Sequence, residues 1–140
     1  MTNVKLSIIV PTYNHEKYIE ECIRSILMQK MKFNYEVLIG EDCSKDKTAM
    51  VLKKLENEIP HNYKIFYREK NMGMGPMGNA WDLQNRAKGE YIISIEGDDF
   101  FIDEHKLQKQ VDFLDKHKEF IAVAHNCQVV DKNSKYSLES

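Results

Sequence analysis

The sequence alternates short apolar runs with longer amphipathic stretches along most of its length. The apolar runs have the length and β-branched content of buried strands, at 6–10, 35–39, 63–67, 91–95 and about 121–130. Between them, apolar residues recur at helical spacing, over about 16–29, 46–58, 78–87 and 103–117. Connections of this kind are too long for hairpins. The pattern therefore predicts an α/β domain with three layers (α/β/α) and a mostly parallel sheet, spanning residues 1–140 as a single domain.

Composition and charge exclude several classes of protein. The chain is 42% hydrophobic and 30% charged, as soluble globular proteins are. Its net charge of −2 provides no basic field for nucleic acid, and no segment approaches the roughly 20 apolar residues of a transmembrane helix. Cys22, Cys43 and Cys127 show no pairing or metal-ligand spacing, which indicates reduced thiols and a cytoplasmic protein.

Polar residues follow three of the predicted strands, where the strands of a parallel sheet end. These segments are P-T-Y-N (11–14), G-E-D-C-S (40–44) and E-G-D-D (96–99). Ligands of open parallel sheets bind beyond the carboxyl ends of the strands. Five carboxylates at one edge, without matching Lys or Arg, favour a divalent cation such as Mg²⁺ or Mn²⁺, or a hydroxyl-rich ligand. Gly97 permits a sharp turn, so one acid can bind a metal while another binds ribose; the alternative is a solvated turn.

The segment G-M-G-P-M-G (73–78) fits the glycine pattern of dinucleotide-binding loops. That fingerprint belongs directly after an apolar strand in the first βα turn, whereas R-E-K-N-M intervenes here after the third strand. A flexible loop beside the site is the favoured interpretation. Trp81 could stack on a base or sugar, but its place in a predicted helix favours packing.

Four segments, taken in order, resemble one protein family. They are S-I-I-V-P-T-Y-N from Ser7, E-V-L-I-G-E-D-C-S-K-D-K-T from Glu36, A-K-G-E-Y-I-I-S-I-E-G-D-D-F from Ala87 and K-L-Q-K-Q-V-D-F-L from Lys106. This set resembles the inverting family 2 glycosyltransferases, in particular bacterial members that build surface polysaccharides. The resemblance implies the N-terminal, nucleotide-sugar-binding portion of a Rossmann-like GT-A fold.

The resemblance also implies roles for individual residues. Pro11, Tyr13 and Asp42 would line the pocket of the nucleotide base. E-G-D-D would correspond to the D-x-D element of the family, with Asp98 facing the ribose or the metal and Asp99 coordinating Mn²⁺ or Mg²⁺ on the diphosphate.

Three positions depart from the commoner family pattern, and one of them is Cys43, which stands where a small residue such as Gly or Asn is frequent. Glu41 and Glu96 stand where aspartate is more frequent, and both belong to the expected nucleotide-sugar-binding set. The longer side chains leave open how metal and ribose contacts divide among Glu96, Asp98 and Asp99.

The resemblance implies further parts outside this chain. The acceptor site and the acidic catalytic base follow the fifth strand in this family, so the base is expected beyond Ser140. The expected donor is a UDP-sugar and the acceptor a glycan or lipid-linked saccharide. The expected location is cytoplasmic, with any attachment to the inner membrane through parts outside the chain.

Two alternative functions stay open. One is a module that binds a nucleotide sugar without turning it over. The other is a Mg²⁺-dependent nucleotidyltransferase, which should carry a Gly-rich loop with Lys or Arg where this chain has P-T-Y-N.

Overall fold

Strands and helices alternate through the whole of the protein's computed structural model, which describes residues 3–131. The elements are β1 (Leu6–Thr12), α1 (Ile19–Leu27), β2 (Tyr35–Glu41), α2 (Thr48–Leu55), β3 (Tyr63–Tyr67), α3 (Pro76–Arg86), β4 (Tyr91–Ser94) and α4 (Lys106–Lys116). Each helix begins and ends inside the stretch predicted for it, except that α3 begins two residues earlier, at Pro76. The first four predicted strands are confirmed.

The four strands form one parallel sheet in the order β3-β2-β1-β4. β1 is central: it pairs with β2 from Leu6 to Thr12 and with β4 from Leu6 to Ile9. Because all strands point the same way, the segments that follow β1, β2 and β4 leave the sheet at the same edge.

The pleat of β1 divides its side chains between two helical layers. Leu6, Ile8 and Val10 belong to a large core with residues of α1, α2 and α4. Ile9 lies on the opposite face, where it packs with Leu38 of β2 and Leu83 of α3. The predicted three-layer α/β/α architecture is therefore confirmed, with three helices on one face and α3 on the other.

β1 runs two residues beyond its predicted end and includes Pro11. Proline has no N–H to donate to a sheet, but its carbonyl is free to accept. The Pro11 carbonyl accepts the N–H of Gly97 at 3.1 Å, and the Thr12 carbonyl accepts the N–H of Asp42 at 3.0 Å. These two hydrogen bonds connect the end of β1 to the E-G-D-D segment and to the segment that follows β2.

Two expectations from the sequence are wrong. Residues 121–129 form no strand. Ile121 is almost entirely exposed, Val129 is largely exposed, and H-N-C-Q (125–128) interrupts the apolar run. An apolar run without burial and pairing has little to stabilise it as a strand. Trp81 does not pack into the core either, since 59% of it is exposed, and the buried residues of α3 are Asn79 and Leu83.

Across residues 3–131, every helix is too short or too polar to cross a lipid bilayer.

Candidate functional site

The loops that follow β1 and β2 are joined by reciprocal hydrogen bonds. We call residues 13–18 and 42–47 the paired loops. Asn14 donates its N–H to Ser44 Oγ and accepts the N–H of Lys45 on its Oδ1, both at 2.9 Å. Two residues on, the Glu16 N–H reaches Asp46 Oδ2 at 3.1 Å, and Glu16 Oε2 accepts the Lys47 N–H at 2.8 Å. Each loop thus satisfies backbone groups of the other, which fixes both at the sheet edge.

The E-G-D-D segment turns sharply against the end of β1. Asp99 donates its N–H to the Glu96 carbonyl at 3.0 Å, while Gly97 between them is buried. A Cβ on Gly97 would lie 2.5 Å from Thr12 Oγ1 and 2.7 Å from His15 Nδ1, so only glycine fits there. The turn leaves the side chains of Glu96, Asp98 and Asp99 exposed. The sharp turn predicted at Gly97 is therefore confirmed, and its use in presenting neighbouring acids to one ligand stays a prediction.

The charge of Asp99 is unfavourable in the protein without a cation. Partial burial raises the pKa of the Asp99 carboxyl and the neighbouring Asp98 raises it further, while His15 opposes the change. A bound divalent cation would relieve both effects. Cys22 Sγ lies 3.5 Å from the Glu96 carbonyl, but burial raises the pKa of this thiol far above its usual range, which disfavours a role as nucleophile.

The two acids that follow β2 are placed differently from those that follow β4. Glu41 is only 3% exposed and its Oε1 accepts the N–H of Ser44 at 2.8 Å. Asp42 is only 2% exposed; its Oδ1 accepts the Met72 N–H at 2.8 Å and its Oδ2 accepts the Asn71 amide at 3.0 Å. Glu41 is thus bonded within the loop that follows β2 and Asp42 to the loop that follows β3, and the contact of either with a nucleotide stays a prediction.

The remaining predicted residues lie beside these acids. Pro11 is buried in β1, and Tyr13, 36% exposed, is the first residue beyond the strand. The structure therefore brings the predicted residues to one edge in three groups: Pro11 and Tyr13 after β1, Glu41 and Asp42 after β2, and the E-G-D-D acids after β4.

The side chains at this edge can be compared with those that usually bind a divalent cation. Within residues 3–131, no group of three or more His, Cys, Asp and Glu side chains could hold a metal by itself. Mg²⁺ typically uses one or two protein carboxylates and takes its other ligands from water and substrate phosphates. Asp98 and Asp99, adjacent and exposed, fit an ion of that kind that arrives with a diphosphate.

The G-M-G-P-M-G segment connects β3 to α3 and is not the first βα turn. Gly73, Met74 and Gly75 all have positive φ angles, and Pro76 is the first residue of α3. Its neighbours Asn71 and Met72 bind Asp42, which places this loop beside the site as expected.

Sequence reasoning missed two residues of this region. Asn71 binds the Asp42 side chain and carbonyl, and His15 contacts both Thr12 and Asp98. The signal for His15 was its place directly after P-T-Y-N. Nothing in the sequence pairs Asn71 with Asp42, because that contact depends on how the loop after β3 folds back.

The sequence was also compared with models of protein families. The family model described as Glycosyl transferase family 2 matches residues 7–139. The chain belongs to glycosyl transferase family 2. The expected family is thus confirmed.

Several bacterial proteins are similar to this chain in sequence. The chain is 36% identical over 115 residues to poly(ribitol-phosphate) beta-N-acetylglucosaminyltransferase TarS of Staphylococcus aureus, covering 81% of this chain and 19% of TarS. It is 35% identical over 116 residues to the putative teichuronic acid biosynthesis glycosyltransferase TuaG of Bacillus subtilis, covering 81% of this chain and 44% of TuaG. An uncharacterized mycobacterial relative, Mb1547 of Mycobacterium bovis, is 34% identical over 125 residues, which make up 36% of its length. The chain thus spans less than half the length of each of these relatives.

Solved structures of the GT-A type have the same fold. The crystal structure of Staphylococcus aureus TarS 1–349 in complex with UDP matches with a TM-score of 0.69 and 36% identity, covering 82% of this chain and 33% of that one. The complex of the same protein with UDP-GlcNAc gives a TM-score of 0.68 at 34% identity. The mannosyltransferase PcManGT from Pyrobaculum calidifontis, in complex with GDP-Man and Mn²⁺, matches with a TM-score of 0.68 at 22% identity, covering 79% of this chain and 32% of that one, a likeness of fold.

Proposed function

We propose that this chain is the donor-binding part of an inverting, metal-dependent glycosyltransferase of bacterial polysaccharide synthesis. The observation that carries the proposal is the E-G-D-D turn. In this family 2 chain the turn carries two exposed adjacent acids, Asp98 and Asp99, at the carboxyl edge of a parallel sheet. The turn depends on Gly97, a position with no room for a side chain. Partial burial and mutual repulsion make a cation at this pair favourable.

The proposed donor is a UDP-sugar. TarS, which is 36% identical and has the same fold, binds UDP in its crystal structure. In this chain, Pro11, Tyr13 and Asp42 would line the base pocket, with Glu41 behind them and Glu96 or Asp98 reaching the ribose hydroxyls. The loop that carries Asn71 and Met72 would close one side of that pocket, because it is bonded to Asp42.

Asp99, with Asp98, would hold Mn²⁺ or Mg²⁺ against the diphosphate. The ion, when bound, offsets the negative charge that develops on the departing nucleoside diphosphate. The two carboxylates would hold this ion, and the diphosphate would be bound through it.

The transfer itself is a single displacement at the anomeric carbon. The acceptor hydroxyl, on a glycan or a lipid-linked saccharide, forms the new C–O bond while the bond to the diphosphate breaks, which inverts the configuration. A base must take the hydroxyl proton on the face opposite the leaving group. We expect this base from the part of the full-length relatives that the chain does not span.

Calorimetric titration with UDP tests the proposal. We expect binding in the presence of Mn²⁺ that weakens at least about tenfold in EDTA or in Asp99→Ala, since loss of a ligand or its support typically costs that much metal affinity. Asp112→Ala is the matched control, because Asp112 is an exposed acid on α4 that bonds only to Gln108 among the contacts described. UDP binding that is unchanged by EDTA and by Asp99→Ala would contradict the metal-dependent site.

A transfer assay separates an enzyme from a binding module. The longer protein that contains this chain should release UDP from a UDP-sugar and form the inverted product in an Asp99-dependent manner. Metal-dependent binding without any turnover would instead identify a non-catalytic nucleotide-sugar module.

A further inference from the structure

His15 lies between the end of β1 and the acids of the E-G-D-D turn. Its Nδ1 is 3.0 Å from Thr12 Oγ1, and its Nε2 is 3.8 Å from Asp98 Oδ2. The second distance is longer than a hydrogen bond, so the contact is electrostatic in this structure. Only 18% of the His15 side chain is exposed, against 46% for that of Asp98. A mostly buried ring thus faces an acid that is exposed to solvent.

The backbone of His15 is held from two directions. Its N–H donates to Thr48 Oγ1 at 2.8 Å, across the paired loops. Its carbonyl accepts the N–H groups of Tyr18 and Ile19, at 3.0 and 2.9 Å, where α1 begins. These bonds fix the backbone from which the ring projects, and the ring itself is held by its burial and by the contact with Thr12, as a group that orients another residue requires.

Thr12 Oγ1 can donate to His15 Nδ1 or accept from it, so the Asp98 carboxylate beside Nε2 decides which ring nitrogen carries the proton. When the Thr12 hydroxyl donates to Nδ1, the neutral ring carries its hydrogen on Nε2, the atom that faces Asp98. The other tautomer would direct a lone pair at the Asp98 carboxylate and is disfavoured. The ring therefore presents an N–H donor to the acid.

Gly97 fits against the same two side chains. A Cβ there would lie 2.5 Å from Thr12 Oγ1, and 2.7 Å from His15 Nδ1. The Thr12–His15 pair therefore forms the surface on which the turn rests, in addition to facing one of its acids.

We propose that His15 is a positioning residue, which is held by Thr12 and orients Asp98 through its Nε2–H for binding the metal or the ribose of the donor. This inference rests on the proposed function. His15 touches no reacting atom in this role; it acts through Asp98. Outer-shell partners of this kind fix the orientation of a metal-binding side chain and support metal affinity.

Two amide substitutions separate the two contacts of the ring. In His15→Gln the side-chain amide reaches the position of Nε2, so a donor to Asp98 is kept. In His15→Asn the amide reaches only the position of Nδ1, so the contact with Thr12 is kept and the donor to Asp98 is lost. The measurement is Mn²⁺ affinity at saturating UDP, from the free Mn²⁺ signal in electron paramagnetic resonance, together with the thermal midpoint of each variant without ligands.

We expect His15→Asn to weaken Mn²⁺ binding about tenfold, the lower end of the usual outer-shell effect, while His15→Gln stays close to the wild type. Thermal midpoints should be similar in both variants, because neither change opens the core. A wild-type chain that takes up no Mn²⁺ with UDP would overturn the proposed function and this inference together.

Three other results would overturn only the inference. Equal affinities in wild type and both variants would show that the ring does not orient Asp98. Equal losses in both variants would show that the imidazole shape, and not its donor, matters. Coupling of Mn²⁺ to an imidazole nitrogen in pulsed resonance spectra would make His15 a direct ligand.

Discussion

Asn79 occupies the space that any side chain at Gly40 would need. Its amide donates to the Gly40 carbonyl at 2.7 Å, and a Cβ on Gly40 would lie 2.2 Å from Asn79 Oδ1. This contact joins α3 to β2 directly before Glu41 and Asp42. The spacing between the helix and the end of the strand is therefore set by a glycine and a buried amide.

Gly40→Ala should destabilise the fold by about 1–3 kcal/mol, as overpacking of a buried site usually does. Urea unfolding measures the change. The double variant Gly40→Ala with Asn79→Ala should lose less than the sum of the two single losses, because the clash and the amide are the same interaction. Additive losses would show that the two residues do not share the site.

Asp99→Asn should stabilise the metal-free protein slightly while removing Mn²⁺ binding. The pKa of Asp99 is raised, so the native state binds its proton more tightly, and the charged carboxyl costs stability once the pH rises above that pKa. Because Asp99 is exposed, the gain at pH 7 should be no more than about 1 kcal/mol. Thermal unfolding in EDTA tests the sign of this change in stability, with Asp112→Asn as the control. A lower midpoint for Asp99→Asn than for the control would contradict the unfavourable charge.

The stabilising effect of Asp115 should disappear in acid. The Lys5 ammonium, at 2.7 Å, together with Lys118 and the Tyr91 hydroxyl, lowers the pKa of Asp115 from 3.8 to about 2. A lowered carboxyl pKa contributes stability above the unfolded value of 3.8, and that contribution is lost as the pH falls through about 2. The difference in unfolding free energy between wild type and Asp115→Asn should therefore shrink between pH 4 and pH 2. A difference that stays constant over this range would show that the carboxylate charge is not involved.

Asp42→Ala should release the loop that follows β3. Asp42 bonds the Met72 N–H and the Asn71 amide, and bonds to a charged group are worth more than neutral ones. Hydrogen exchange at Met72 should accelerate about tenfold or more when the bond of about 1.5–3 kcal/mol is lost. Asp42→Asn keeps an acceptor oxygen and should retain most of the protection. Equal exchange rates in Asp42→Ala and wild type would show that the loop is held by other contacts.

Periodicity predicted the elements that pack against each other in this chain. The bounds of β3 are those predicted, and Leu107, Val111 and Leu114 of α4 are buried as their spacing indicates. The run at 121–130 shows the limit of this reasoning: its apolar residues have the composition of a strand, but none of them is buried, and residues 121–129 pair with no strand in the described structure. Trp81 shows another: helical spacing does not say which side of a helix meets the sheet, and Asn79 with Leu83 takes that side.

The site was predictable where it depends on strand ends and less so where it depends on loops. E-G-D-D begins two residues after the end of β4, so its exposure at the sheet edge follows from topology. The carboxylates of Glu41 and Asp42, by contrast, are bonded to Ser44 and to the loop after β3. Those bonds depend on backbone turns such as the positive φ of Cys43, which spacing alone does not reveal.

The paired loops have a consequence for protein engineering. Because Asn14 and Glu16 bond backbone groups of 44–47 and are bonded by them in return, neither loop can be replaced without leaving unpaired groups in the other. Any graft from another family 2 domain should therefore exchange residues 13–18 and 42–47 together, as a single cassette drawn from one parent.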